Sequence, residues 1–322
     1  MGDSQLVGVK DPRTGVTGWC VVMGLLGQVY GIALCLGDRG YSHLSEVLAG
    51  GMRPFSDLAV EMDALFLHLI SREEVPSEDW PSLKAGGMSA GVRIGRRTAW
   101  PWARRVEPWR YPRVLTGEEC EQLSQALDQV VHIAERLQAD PKMLLRRRSG
   151  AILVRVYDEA QDGGGWHDTW ESPKPYVAPE VWAESDVERI EGILERSDRT
   201  DATWDVDAFP MTSPIQDGDV QYYPRAVVLM DSRTTRVLHV GIIKPDEQDW
   251  TAVMNVVLDG ISAASELPSV IRVRNRNLYE LFKTLRTRLD IRIRLVDSMP
   301  QMDSVIAGML EWMKRGPQGG SR

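Results

Sequence analysis

The amino-acid sequence predicts an α/β protein with two domains. The first is an α+β domain, and the second has the order ββαβαβα with a mixed, largely parallel sheet. The chain has 322 residues, more than one hydrophobic core of ordinary size accommodates. Apolar positions alternate between periods of two and 3.6 residues, which indicates interleaved strands and helices. Residues 158–219 hold seventeen acidic and four basic side chains and predict a connector. The predicted boundaries are 1–157, 158–219, 220–315 and a frayed tail, 316–322.

The N-terminal half begins with a predicted β-hairpin. Strands at 18–23 and 28–36 flank a glycine-containing turn. Helical spacing then predicts helices over 41–48 and 57–70, whereas residues 76–115 have poor periodicity. Thr116 and Glu119 form a capping box that starts the next helix, which ends at Asp140–Pro141. A strand is predicted at 151–157.

The C-terminal half has clearer patterns. One helix is predicted at 186–197, inside the acidic stretch. The remaining elements are predicted as strands at 225–231 and 236–243, a helix at 247–265, a strand at 269–275, a helix at 278–289, a strand at 291–297 and a helix at 302–313. Strand–helix–strand units of this length favour parallel pairing between helix layers.

Composition places the chain among globular proteins of the cytoplasm. The net charge of −8 argues against general nucleic-acid binding. No apolar run is long enough for a transmembrane helix, and the first residues lack the pattern of a signal peptide. Cys20, Cys35 and Cys120 form no CxxC pair and are predicted to be buried structural thiols. We therefore expect a cytoplasmic protein that does not bind a membrane.

Asp231 ends an apolar strand, where open α/β sheets place their ligand crevice. The stretch VVLMDSRTTRVL resembles the opening strand-turn-strand of the ribonuclease-H-like fold. That resemblance implies strand-end carboxylates holding two divalent metals for phosphodiester cleavage. Asp231 would be the first catalytic and metal-binding acid, with Asp297, Asp303 and Glu311 as further candidates. Mg²⁺ or Mn²⁺ would be needed only on this hypothesis, and otherwise no cofactor is predicted.

Two features depart from that pattern. The strand expected to carry the second acid ends in Asn275 and Asn277, and two strands rather than three are predicted before the first helix. An alternative is that Asp231 caps a turn by accepting hydrogen bonds from the amides of residues 232–234.

The stretch AWPWARRVEPWRYPR, residues 99–113, is rich in tryptophan and arginine. Residues 93–113 hold seven arginines and one acidic residue. Aromatic rings stack on bases and arginines meet phosphates, so this segment is a candidate single-stranded nucleic-acid or polyanion site. We call it the Trp/Arg stripe. Its candidate residues are Trp100, Trp102, Arg104, Arg105, Trp109, Arg110, Tyr111 and Arg113, with Arg96, Arg97 and Arg146–Arg148 as extensions. The alternative is a proline-stiffened segment whose aromatic rings dock on a core and whose arginines pair with acidic residues.

The stretch DGGGWHDTW, residues 162–170, is a weaker candidate. Asp162, His167 and Asp168 include metal-ligand types, but sequence neighbours rarely point to one ion. No GKS or GKT follows the glycines, so a phosphate loop is not predicted.

A broader resemblance spans most of the chain. The N-terminal run is similar to the opening of an uncharacterised bacterial family of two-domain proteins, through Met23–Gly24, Gly31, Leu36–Gly37 and Gly40. Leu115–Thr116 and Glu119 continue the pattern, and the C-terminal SMP..D element also matches. The resemblance implies two α/β domains and no established activity.

Taken together, the residues favour a non-catalytic binding or regulatory interaction module. Its partner would be a protein or a single-stranded nucleic acid. The alternatives are a divergent metal-dependent phosphodiesterase centred on Asp231, or a nucleic-acid binder that uses the Trp/Arg stripe.

Overall fold

A computed structural model describes residues 5–25, 27, 29–49, 61–89, 99–145, 150–159, 164–176, 185–211, 213–244 and 250–315. The chain divides into two compact units. Unit 1 comprises residues 1–108 and 112–176, and unit 2 comprises residues 109–111 and 177–322. The described helices and strands confirm an α/β fold.

Unit 1 is built on a seven-stranded sheet with a helix on each face. Its elements are β1 (Leu6–Lys10), β2 (Thr17–Met23), β3 (Tyr30–Leu36), α1 (Gly37–Leu48), β4 (Ala64–Ile70), α2 (Trp80–Ser89), β5 (Trp100–Val106), α3 (Gly117–Ala139), β6 (Ile152–Asp158) and β7 (Gly165–Glu171). The strand order is β5-β4-β3-β2-β1-β6-β7, antiparallel except where β1 pairs with β6. Helix α3 packs on one face through residues such as Leu123 and Ile133, and Leu44 of α1 packs on the other.

Two predicted features of unit 1 are confirmed. Strands β2 and β3 form the antiparallel hairpin. The hydroxyl of Thr116 accepts a hydrogen bond from the Glu119 amide, and the Glu119 carboxylate accepts one from the Thr116 amide. This capping box starts α3, because the two side chains satisfy backbone donors that the first helical turn leaves open.

The helix predicted over 57–70 is wrong from residue 64 onward. That part is strand β4, ALFLHLI, whereas residues 57–60 lie outside the described residues. The first residues of β4 pack on both faces of the sheet, Leu65 on one and Ala64 on the other, so the apolar residues form a nearly continuous run. Such a run matches helical spacing by chance, and period alone does not separate the two structures.

The cysteines of unit 1 are not all buried. Cys20 and Cys35 are buried on opposite faces of the hairpin, whereas Cys120 is exposed, contrary to the sequence-based expectation. Burial raises the pKa of the Cys20 thiol and raises that of Cys35 to about 12. Thiolate is the reactive form, so neither buried thiol is poised to react at neutral pH.

We therefore expect one fast-reacting thiol in the native protein. Titration with Ellman's reagent should modify Cys120 quickly and the other two only after denaturation. A Cys120→Ser variant is the control and should remove the fast phase. Two fast thiols in the native wild-type protein would contradict the burial of Cys20 and Cys35.

Unit 2 contains a five-stranded sheet of order β13-β12-β9-β15-β16. Its elements are α4 (Ser185–Arg196), β8 (Asp198–Arg199), β9 (Thr203–Pro210), β10 (Ile215–Asp217), β11 (Val220–Tyr222), β12 (Arg225–Asp231), β13 (Val237–Ile243), α5 (Trp250–Ala264), β14 (Glu266–Leu267), β15 (Val270–Val273), α6 (Arg276–Arg288), β16 (Arg292–Leu295) and α7 (Pro300–Arg315). One face packs against α4, α5 and α6, and the opposite face of β9 and β12 packs against α7.

The predicted connector, 158–219, contains structural elements of both units. Strand β7 belongs to the sheet of unit 1, and β9 is the central strand of unit 2. Asp205 and Asp207 interrupt the apolar pattern of TWDVDAFP, which is why this buried strand was not predicted. Strand β9 supplies the third strand before the first long helix, which the ribonuclease-H-like resemblance requires. It pairs antiparallel with β12 and parallel with β15, so the sheet is evenly mixed rather than largely parallel.

Candidate functional site

Asp231 ends strand β12 and closes the turn into β13. Its carboxylate accepts hydrogen bonds from the Arg233 amide at 3.0 Å, the Thr234 amide at 2.6 Å and the Thr234 hydroxyl at 2.8 Å. Burial acts to raise the pKa of Asp231, but these hydrogen bonds outweigh it and lower the pKa. The geometry is that of a turn cap, which the sequence left open as the alternative.

A surface cleft of about 580 Å³ lies beside this turn. Its walls include Thr200, Thr203, Asp231, Arg236 and Glu266. All three hydrogen bonds of the turn go to Oδ1 of Asp231, so this oxygen is committed to the turn rather than to the cleft.

The structure does not bring Asp231 together with Asp297 and Asp303. Asp231 pairs with Trp204, at the beginning of β9. Asp297 follows β16, whose last residue, Leu295, pairs with Val273 at the far end of β15. Three strand spacings and about four residues of rise separate Asp231 from Asp297, or roughly 15–20 Å. Within the described ranges, no group of three or more His, Cys, Asp or Glu residues could hold a metal ion.

Acidic side chains do meet elsewhere in unit 2, on the face of the sheet that α7 covers in part. Asp205 and Asp207 are buried on β9 and, two residues apart, point to the same face. Asp303 lies in the first turn of α7. Sequence reasoning missed the first two because it did not predict their strand. The available signal in the sequence was the alternation of the apolar residues Trp204, Val206 and Ala208 with these two acids.

Two arginines bind all three carboxylates. Arg272 lies on β15, the strand beside β9, and Arg274 directly follows that strand. Arg272 binds Asp205 in a two-point contact, with Nε–Oδ1 at 2.6 Å and Nη2–Oδ2 at 2.8 Å. Arg274 lies at 2.5 Å from Asp207 and also pairs with Asp303. We call this set the Asp/Arg cluster: Asp205, Asp207, Arg272, Arg274 and Asp303.

The charges in the Asp/Arg cluster stabilise one another. A hydrogen bond to Asp205 raises the pKa of Arg272. Burial acts to lower the pKa of Arg274, but attraction to Asp207 and the hydrogen bonds to Asp207 and Asp303 outweigh it and raise the pKa. Both guanidinium groups therefore stay charged, and the bidentate geometry of the Arg272–Asp205 pair makes it strong.

The aromatic rings of the Trp/Arg stripe are largely docked in the protein. Trp100 and Trp109 are each only 1% exposed. The indole nitrogen of Trp102 donates to Asp79 at 2.8 Å, and Arg104 pairs with the same carboxylate. Stacking on bases requires exposed ring faces, which the two buried tryptophans lack. Tyr111 is 45% exposed, so it does not share their burial.

Several arginines of the stripe are held in an ion-pair network in unit 1. Arg105 lies 2.6 Å from Asp63 and 3.4 Å from Glu119. Arg113 lies 2.8 Å from Glu119 and 2.9 Å from Glu107. The hydrogen bond to Glu119 raises the pKa of Arg113. Partial burial acts to raise the pKa of Glu119, but the hydrogen bonds from Arg113 and the Thr116 amide outweigh it and lower the pKa.

Other parts of the stripe have different environments. Arg110 forms a β-bridge with Tyr222 in unit 2. Arg93, Arg96, Arg97 and Arg146–Arg148 lie outside the described residues. The structure therefore favours the docked-segment interpretation over a phosphate-binding track for the described tryptophans and for three of the described arginines, Arg104, Arg105 and Arg113.

Asp168, from the DGGGWHDTW stretch, is likewise an ion-pair partner. It lies 2.5 Å from Arg136 and 2.7 Å from Arg155. Its neighbour His167 is on β7, and Asp162 lies outside the described residues. The hydrogen bond from Arg136, helped by Arg155, lowers the pKa of Asp168 to about 2 despite partial burial.

This lowered pKa predicts a pH-dependent contribution to stability. Because the folded-state pKa lies below the unfolded value, the contribution is present above about pH 4 and is lost as the pH falls toward 2. We expect Asp168→Asn to lower the free energy of unfolding at pH 7 by about 1 kcal/mol, allowing for solvent screening. Urea denaturation at several pH values checks this. Glu121→Gln, an exposed Arg13 partner, is the control, and an Asp168→Asn penalty that persists at pH 2 would contradict the assignment.

The geometry defines a two-domain α/β protein whose second unit gathers acidic and basic side chains on one sheet face. Residues 1–155 match a family model described as Domain of unknown function (DUF7309). Residues 190–310 match a second, Domain of unknown function (DUF6930). The chain thus contains two family domains, for neither of which a function is assigned.

No curated protein matches the chain. Among solved structures, the chain has weak similarity to two structures of the HTLV-2 integrase catalytic core domain in complex with magnesium, one dimeric and one trimeric. Both are 17% identical with a TM-score of 0.27. They cover 38% of this chain and 78% and 79% of theirs. Similarity at this level carries no argument about the activity of this chain. None of the described helices is long and apolar enough to cross a membrane.

Proposed function

We propose that this chain is a non-catalytic binding module of the cytoplasm of a bacterial cell, and not a metal-dependent phosphodiesterase. The observation that supports the proposal is the Asp/Arg cluster. Two guanidinium groups form ion pairs with the three carboxylates that lie on one face of the unit 2 sheet. The cytoplasmic assignment is supported by the free thiols of Cys20 and Cys35, the state that a reducing compartment maintains.

A divalent cation binding these carboxylates would have to displace arginine. Mg²⁺ and Mn²⁺ need several oxygen ligands whose negative charge offsets the metal. Arg272 and Arg274 already offset the charges of the two buried carboxylates, and a cation placed beside these arginines would be repelled. Asp231, which was also proposed from the sequence, has its carboxylate engaged in the turn between β12 and β13, beside the beginning of β9.

A hydrolysis assay tests the proposal. The full chain is incubated with bis(p-nitrophenyl) phosphate, and separately with a labelled oligonucleotide, in the presence of Mn²⁺. We expect no turnover above buffer and no difference between the wild type and the Asp205→Asn and Asp231→Asn variants. Mn²⁺-dependent cleavage that Asp205→Asn or Asp231→Asn abolishes would overturn the proposal.

A further inference from the structure

Strand β16 offers an open, positively charged edge in unit 2. It is the last strand of the five-stranded sheet, so in the described part of the chain no strand pairs with its outer side. Arg292 and Arg294 are both exposed. Within the same described ranges, neither side chain makes a hydrogen bond or an ion pair.

These arginines lie on the same sheet face as the Asp/Arg cluster. Arg294 is the direct parallel neighbour of Arg272, and Arg292 is the neighbour of Val270. Helix α7 packs over β9 and β12, as its contacts with Phe209 and Val228 show, and within the described ranges Arg292 and Arg294 of β16 stay exposed beside it. The charges of Arg272 and Arg274 are offset by Asp205, Asp207 and Asp303, whereas those of Arg292 and Arg294 are not.

The two faces of β16 differ in chemistry. Arg292 and Arg294 alternate with Ile293, which packs against the helix-covered core, and with Leu295, which is 47% exposed. A strand added beside β16 would therefore meet guanidinium groups on one face and aliphatic groups on the other. The complementary segment alternates acidic and apolar residues, because successive side chains of a strand point to opposite faces.

We propose that the β16 edge binds an extended acidic–apolar peptide segment of a protein partner by strand addition. This inference rests on the proposed binding function and names the partner class. Backbone hydrogen bonds would supply affinity, and the two arginines would select carboxylates at alternate positions. A single-stranded nucleic acid is the less suited partner, since neither β15 (VIRV) nor β16 (RIRL) carries an aromatic ring on which a base could stack.

Fluorescence anisotropy with a labelled peptide of alternating Glu and Val tests the proposal. We expect saturable binding to the full chain that weakens at least about tenfold in Arg292→Glu/Arg294→Glu. The matched control is Arg233→Glu/Arg286→Glu, which makes the same charge change at exposed positions elsewhere in unit 2 and should bind like the wild type.

Two further probes separate strand addition from simple charge attraction. A Glu/Val peptide with alternate backbone nitrogens methylated keeps its charge but loses strand pairing, and we expect it not to bind. A labelled oligothymidylate should not bind either. Absence of Glu/Val binding, equal binding of the methylated peptide, or preferential binding of the oligonucleotide each overturns the proposal. None of these results bears on the hydrolysis assay, so the two proposals fail separately.

Discussion

Replacing Arg272 with alanine is expected to lower the free energy of unfolding by about 3–5 kcal/mol at pH 7, the usual cost of leaving a buried charge without its partner. Asp205 is completely buried and would lose both hydrogen bonds of its bidentate contact.

Urea denaturation of matched variants measures this effect. Arg294→Ala, at the exposed neighbouring position on β16, should change stability by less than about 0.5 kcal/mol. An Arg272→Met/Asp205→Leu double variant should recover part of the loss, because removing both charges leaves neither buried alone. An Arg272→Ala cost similar to that of Arg294→Ala would show that the Asp205–Arg272 pair does not stabilise the sheet.

Replacing Trp109 with alanine should cost about 3–5 kcal/mol, as expected for a large buried aromatic side chain. Trp109 belongs to unit 2, where the Arg225 guanidinium lies 3.8 Å from the centre of its ring. Its carbonyl oxygen accepts a hydrogen bond from the Tyr223 amide at 2.7 Å. The residue therefore fills a core position, and its removal would leave Arg225 without its nearest aromatic ring.

The comparison with Tyr111→Ala separates a structural role from nucleic-acid binding. Tyr111 is exposed, so its loss should cost less than about 1 kcal/mol. Chemical denaturation gives the stabilities, and anisotropy with labelled single-stranded DNA at low salt measures binding. Wild-type stability in Trp109→Ala, together with weakened DNA binding in both variants, would restore the nucleic-acid interpretation of the Trp/Arg stripe.

Local patterns were sufficient to predict much of unit 2. Strands β12 and β13 consist of apolar runs flanking a polar turn, and α6 has its apolar residues at helical spacing. Each of these elements can therefore be predicted from its own segment of the sequence. Strand β9 has no such local pattern, because Asp205 and Asp207 occupy buried positions where they are paired with Arg272 and Arg274. Those arginines lie 67 residues away in sequence, and no local signal connects them.

The same limit applies to the Trp/Arg stripe. Its composition suits both an exposed binding surface and a docked segment. The choice depends on distant partners, since Asp79 engages Arg104 and Asp63 engages Arg105. The prediction for Asp231 was right about the position of the residue and incomplete about its neighbours. The strand end was correctly located, but without β9 the register that separates Asp231 from Asp297 was not visible.

The central claim is that Arg272 and Arg274, rather than a metal ion, neutralise the buried carboxylates of unit 2. Isothermal titration calorimetry of the full chain with Mn²⁺ tests this claim most directly. The Asp207→Asn variant is measured in parallel. The account predicts no saturable heat for either protein at millimolar Mn²⁺. Saturable binding to the wild type that Asp207→Asn abolishes would contradict it.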